Sequence, residues 1–188
     1  MTAVETTDQQ QARQHFERAR ARVVAITTGL SDAQWQFKPA PDRWSIAEIL
    51  EHMVIVRERV LEGRLAKLAE APAAPPDRDY RLIDRLAIEK IPDRSNRVKA
   101  PDFIQPTGQM NPQEALQRLF ENCDRLSDFV RSTPGLREHV MEAPPLKIVT
   151  NGAYDSMDGY QWALTMASHD LRHAEQILEV KAHPAYPA

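Results

Sequence analysis

Cysteine is nearly absent from this chain: Cys123 is the single thiol among 188 residues. No disulfide can close within one copy, which suits a reducing compartment. Also missing is any run of about 18 consecutive apolar residues, the length that a membrane-spanning helix requires. The opening residues, Met-Thr-Ala-Val-Glu-Thr-Thr-Asp, hold no basic start followed by an apolar stretch. Neither export nor membrane insertion is therefore expected, and the chain reads as cytoplasmic. Charge of one sign is not in excess either, with 24 basic against 27 acidic residues. That balance leaves no electrostatic footprint for nucleic acid or an anionic membrane. The Arg13, Arg18, Arg20, Arg22 series is interleaved with Glu17 and apolar positions, the pattern of a solvated helix face. Internal repeats are lacking, as is period-two alternation strong enough to propose a sheet. The only extended stretch expected is the short Leu146-Lys147-Ile148-Val149.

What the chain does contain is helical periodicity. An apolar content of 42% over this length supports one domain spanning residues 1–188 with a substantial core. A first helix is expected over residues 8–28, where Phe16, Ala19, Val23 and Ile26 recur at three-to-four spacing before Gly29 closes it. A second starts after Ser45, with Glu48 placed for a reciprocal capping box and Trp44 and Ile49 placed for a hydrophobic staple. Its stripe is Ile46, Ile49, Met53, Val56 and Val60. A third opens at Asn111-Pro112 with Glu114 at the capping-box position, buries Leu116, Leu119, Phe120, Cys123, Leu126 and Val130, and stops at Pro134-Gly135. Cys123 keeps step with that stripe and is expected to be a small buried apolar residue. A fourth begins near residues 157–159 and runs to about Lys181, before His183-Pro184. The two long connections, residues 71–110 and 132–156, are expected to cover something or to move, the first with a short helix over residues 80–90. The periodicity gives an all-α fold class, four long helices joined by these connections.

Chemistry resides in the histidines. His169 and His173 stand four residues apart on the stripe Trp162, Met166, His169, His173, Ile177, Val180, and at about 100° per residue their rings diverge by only roughly 40°. They occupy positions where apolar residues belong, which costs several kcal/mol unless their nitrogens are satisfied. His52 lies on the flank of the second helix's stripe, three residues after Ile49 and four before Val56. Three imidazoles with an open fourth position are a catalytic rather than a structural ligand set, suited to zinc, nickel, cobalt or iron. His15, His139 and His183 lie near a terminus or in connections and are expected to be solvated. Asp170 and Glu51 are the nearest carboxylates in sequence to the proposed ligands, and a ligating imidazole normally donates its other nitrogen to such a group. Glu48 is the poorer candidate because capping occupies it. Arg57, Arg64, Trp162 and Tyr160 can be imagined at a substrate, but surface or core is the simpler reading of each.

Trp44-Ser45-Ile46-Ala47-Glu48-Ile49-Leu50-Glu51-His52-Met53, followed over a hundred residues later by His169-Asp170-Leu171-Arg172-His173-Ala174-Glu175-Gln176-Ile177, resembles the DinB/YfiT-like superfamily of metalloenzymes. The resemblance implies a four-helix bundle with long crossovers, a divalent metal, often nickel or zinc, on His52, His169 and His173, and frequently a homodimer. It also implies chemistry on a small-molecule substrate, because characterised relatives include thiol S-transferases using bacillithiol, mycothiol or glutathione and a mycothiol-dependent maleylpyruvate isomerase. Residues 71–110 align to no functional subgroup, so the thiol does not carry over.

The leading expectation is a metal-dependent thiol S-transferase: the ion holds a low-molecular-weight thiol as thiolate and directs it at a small electrophile. A metal-dependent hydrolase that activates water is the alternative, and a non-catalytic, stress-related metal-binding bundle is the third.

Overall fold

Six residues whose side chains accept a backbone N–H set the starts of the four long helices and of two shorter ones. In the computed structural model, which describes residues 6–95 and 98–188, Thr6 caps α1 (Thr7–Thr27), Ser31 caps α2 (Asp32–Gln36) and Ser45 caps α3 (Ile46–Glu58). In all three the residue at the third helical position returns a bond to the cap backbone, and Glu48 does this for Ser45 as its spacing predicts. Asp79 caps α4 (Tyr80–Glu89), Asn111 caps α5 (Pro112–Ser132) and Asp158 caps α7 (Gly159–Lys181). Asn111 accepts from both Gln113 and Glu114, while the Glu114 carboxylate turns to Arg118 instead of closing a box.

The four long helices form a ring in which α1 packs on α7 and α5, and α3 packs on α5 and α7. The second helix continues beyond its expected stripe: a π-helical turn, Arg59–Arg64, and a 3-10 turn, Leu65–Glu70, extend α3. The first crossover carries α4, which lies along α7. The second carries β1 (Val140–Glu142), α6 (Pro144–Val149) and β2 (Ser156–Asp158). Its two strands pair antiparallel with Met141 opposite Met157. Leu146-Val149, expected to be extended, is thus helical, because Pro144 and Pro145 occupy the first helical positions where their missing N–H groups cost nothing; the extended segments flank it.

Apolar burial falls into two clusters stacked along the bundle. One contains Ala12, Phe16 and Ala19 of α1 with Leu126, Val130 and the Trp162-to-Ala167 part of α7. The other contains Val23 and Ile26 of α1, Ile46 to Val54 of α3, Leu119 of α5 and Ala174, Ile177 and Val180 of α7. Between them lies a polar layer. Arg57, 1% exposed, donates to the Leu119 and Met166 carbonyls, to the Cys123 sulfur and to the Asp170 carboxylate. Cys123 is buried as expected, but it lies against a guanidinium rather than in a wholly apolar setting. Glycine is demanded at position 159: a Cβ there would sit 2.6 Å from a Leu68 methyl and 3.2 Å from the Leu136 carbonyl oxygen. The close approach seats the start of α7 beneath the chain preceding the hairpin.

Candidate metal centre

α3 and α7 run side by side, and their facing stripes bring His52, His169 and His173 together. One ring nitrogen from each lies within 4.8 Å of the others. His169 Nε2 and His173 Nε2 are 3.1 Å apart, while two ligands on one tetrahedral cation at about 2.1 Å stand roughly 3.4 Å apart. The ring centroids of His52 lie 5.3 Å from those of His169 and 4.8 Å from those of His173.

Outer contacts select the nitrogens that face inward. His52 Nδ1 donates to the Ile104 carbonyl at 2.7 Å, and His173 Nδ1 donates to Gln176 Oε1 at 2.8 Å. With a proton fixed on each Nδ1, the Nε2 lone pairs are left for the shared centre. Burial depresses the basicity of all three, and the neighbouring imidazoles push His169 and His173 down further. At neutral pH they are uncharged, the state in which imidazole ligates. Trp44, besides packing against the core that contains Ile49, lays its ring 4.7 Å from His52. The donor set, its neutral state and the tautomers fixed on His52 and His173 fit a divalent cation.

Beside the histidines opens a cavity of about 750 Å³. Val56, Val60, Trp162, Met166 and Ile104 give it apolar walls, and Thr165 also lines it, its hydroxyl donating to the Met157 sulfur at 3.2 Å. Arg64 and Trp162 do line it, with the guanidinium 4.7 Å above the indole. Arg57 and Tyr160 do not: both are core residues, the tyrosine hydroxyl donating to Gln11.

Neither carboxylate singled out by sequence bonds to an imidazole. Asp170 pairs with Arg57, and Glu51 accepts from the Thr107 N–H at 3.0 Å, the Thr107 hydroxyl at 2.6 Å and the Gly108 N–H at 2.8 Å. Glu51 therefore touches the site through the crossover: it anchors residues 107 and 108, and Ile104 of the same segment receives the His52 proton. The partners actually used are that carbonyl and Gln176. Gln176 was findable at one helical turn after His173; Ile104 had no local signal. His15 corrects another expectation. It is 7% exposed, held at 2.8 Å from Ser168 Oγ, and burial with nearby Arg18 lowers its pKa to about 4. His139 is half-buried and donates to the Ala71 carbonyl, and His183 packs on Phe37.

A helical ring built on two long crossovers, with three imidazoles from two of its helices facing one cavity, defines a four-helix-bundle protein with a candidate metal site. Residues 15–177 match the DinB superfamily, and the chain belongs to it. It is 24% identical over 167 residues to the uncharacterized protein YuaE of Bacillus subtilis (strain 168), covering 88% of this chain and 94% of that one. The solved structure of YfiT from Bacillus subtilis, described as a probable metal-dependent hydrolase with an unusual four-helix bundle topology, superimposes with a TM-score of 0.62 at 13% identity, over 100% of this chain and 93% of that one. Among the described residues no helix is long and apolar enough to cross a membrane.

Proposed function

We propose that this protein is a metal-dependent hydrolase of a small molecule, in which His52, His169 and His173 hold one divalent cation beside the cavity that receives the substrate. The observation that carries the reading is the convergence of three neutral imidazole nitrogens within 4.8 Å at the wall of a cavity of about 750 Å³. Zinc and nickel suit such a nitrogen set. When bound, a divalent ion lowers the pKa of a water or thiol and polarises a carbonyl, so a nucleophile is available without a protein base of matched pKa. The description of YfiT as a probable metal-dependent hydrolase supports water as that nucleophile.

The residues divide the remaining work. Ile104 and Gln176 keep the protons on the outer nitrogens and the ring planes aimed inward. Trp44 prevents His52 from turning. The Thr165 hydroxyl is spent on the Met157 sulfur at 3.2 Å, and the apolar walls exclude bulk water from the body of the substrate.

One observation favours a thiol S-transferase as the second reading. Among the described residues Asp42 is the single carboxylate lining the cavity, and it is exposed. Sulfur transfer needs no general acid or base beyond deprotonation of the thiol, whereas hydrolysis benefits from one. The test is elemental analysis of protein purified without a polyhistidine tag, followed by turnover of nitrophenyl esters alone and of electrophiles with bacillithiol, mycothiol or glutathione. One divalent ion per chain, lost together with ester turnover in a His169→Ala/His173→Ala variant, is expected. Turnover only with a thiol selects the second reading, and undiminished turnover in the metal-free variant overturns both.

A further inference from the structure

We infer that the cavity binds an amphipathic organic anion, with its apolar body against the walls and its anionic group held by Arg59 and Arg64. The inference deepens the reading above and rests on it for placing the reacting end beside the histidines. Its first support is charge. Among the described residues Arg43, Arg59, Arg64, Arg94, Lys99 and Arg172 line the cavity against one carboxylate, Asp42, although the whole chain has a formal net charge of −3. The positive charge is concentrated on this concave surface against the sign of the whole chain, and low-dielectric walls focus its field on an incoming anion.

Not all six cations are equally committed. Arg94 is clamped in two bonds to Glu179. Arg59 and Arg64, by contrast, have no carboxylate partner among the described residues. Each is laid against an aromatic ring instead: Arg59 at 5.3 Å from the Phe103 centroid, and Arg64 at 4.7 Å from that of Trp162, with one bond to the Glu142 carbonyl. A guanidinium resting over a ring is not neutralised by it, and its remaining N–H groups form a fork matched to a carboxylate, sulfonate or phosphate.

Backbone geometry puts both on one wall. Arg59 and Arg64 are the first and last residues of the π-helical turn, and Val56 and Val60 from the same stretch line the cavity with them. In a regular helix, positions five apart diverge by about 140°; the wider π turn brings them back towards a common face. The extra residue thereby supplies the second cation to the wall. Val56, Val60, Trp162 and Met166 offer nothing to a small hydrated anion such as free phosphate, so the ligand needs an apolar body as well as a charge.

The experiment uses two fluorescent probes of similar size on the full chain: 8-anilino-1-naphthalenesulfonate, which is anionic, and N-phenyl-1-naphthylamine, which is neutral. Both are expected to bind the native protein. An Arg59→Gln/Arg64→Gln variant should weaken the sulfonate by about tenfold or more while changing the neutral probe less than about twofold. Retained neutral binding shows that the cavity has survived the substitutions. Equal weakening of both probes, or none for the sulfonate, overturns the inference. The His169→Ala/His173→Ala variant separates this from the metal reading: sulfonate binding that survives there and still depends on the arginines supports the anion site whatever the metal content. Sulfonate binding that depends on the histidines alone overturns it.

Discussion

His15 is an imidazole that folds uncharged. Its pKa of about 4 lies below the 6.5 of an exposed histidine, because burial at the α1–α7 contact disfavours the cation and Arg18 repels it. As pH falls from 6.5, the unfolded chain takes up this proton first. The contribution is therefore complete above pH 6.5, declines through the window down to about 4, and is absent below it, amounting to about 3 kcal/mol at most. Urea titrations across that window should show a steeper loss of stability in the native protein than in a His15→Gln variant; parallel curves would show that the imidazole is not held neutral. The residue was readable in principle, since His15 stands three positions after Ala12 and four before Ala19, both buried. Proximity to the terminus suggested solvent, and periodicity was the better guide. The three clustered histidines were legible because their spacing on two apolar stripes leaves few other arrangements. Their outer partners were not: the Ile104 carbonyl belongs to a crossover whose position depends on Glu51, and no pattern of residue types encodes that.

Among elements, caps and stripes located the four long helices to within a residue or two, with α7 observed at Gly159–Lys181. Two features escaped. The π turn at Arg59–Arg64 has no composition of its own, and α6 was mistaken for an extended segment because Ile148 and Val149 outweighed the paired prolines. Gly159 shows how one missing methyl sets an interface. In Gly159→Ala the new Cβ meets the Leu68 methyl, which can yield, and the Leu136 carbonyl, whose oxygen accepts the Gly159 N–H at 2.8 Å and cannot move freely. Thermal unfolding should register a loss of about 1 to 3 kcal/mol. An unchanged or raised melting temperature would mean that the hairpin tolerates displacement from α7.

Across the whole molecule, the two apolar clusters are divided by the layer that joins Arg57, Cys123 and Asp170. Truncation of one charge in that layer strands the other away from water. Arg57→Leu is expected to lose about 3 to 5 kcal/mol in urea unfolding, and adding Asp170→Leu should recover much of it, because apolar replacement of both partners removes the desolvation penalty. If the double variant is no more stable than the single one, the layer holds the bundle's register rather than merely satisfying itself.

The bond from His52 to Ile104 spans 52 positions, and the candidate ligands on α7 lie farther still along the chain. The middles of α3 and α7 meet through apolar contacts, whereas the tautomer of His52 is set by a carbonyl of the first crossover. A displacement of that crossover would therefore change which nitrogen of His52 is free to ligate while the helices that carry the imidazoles stayed where they are.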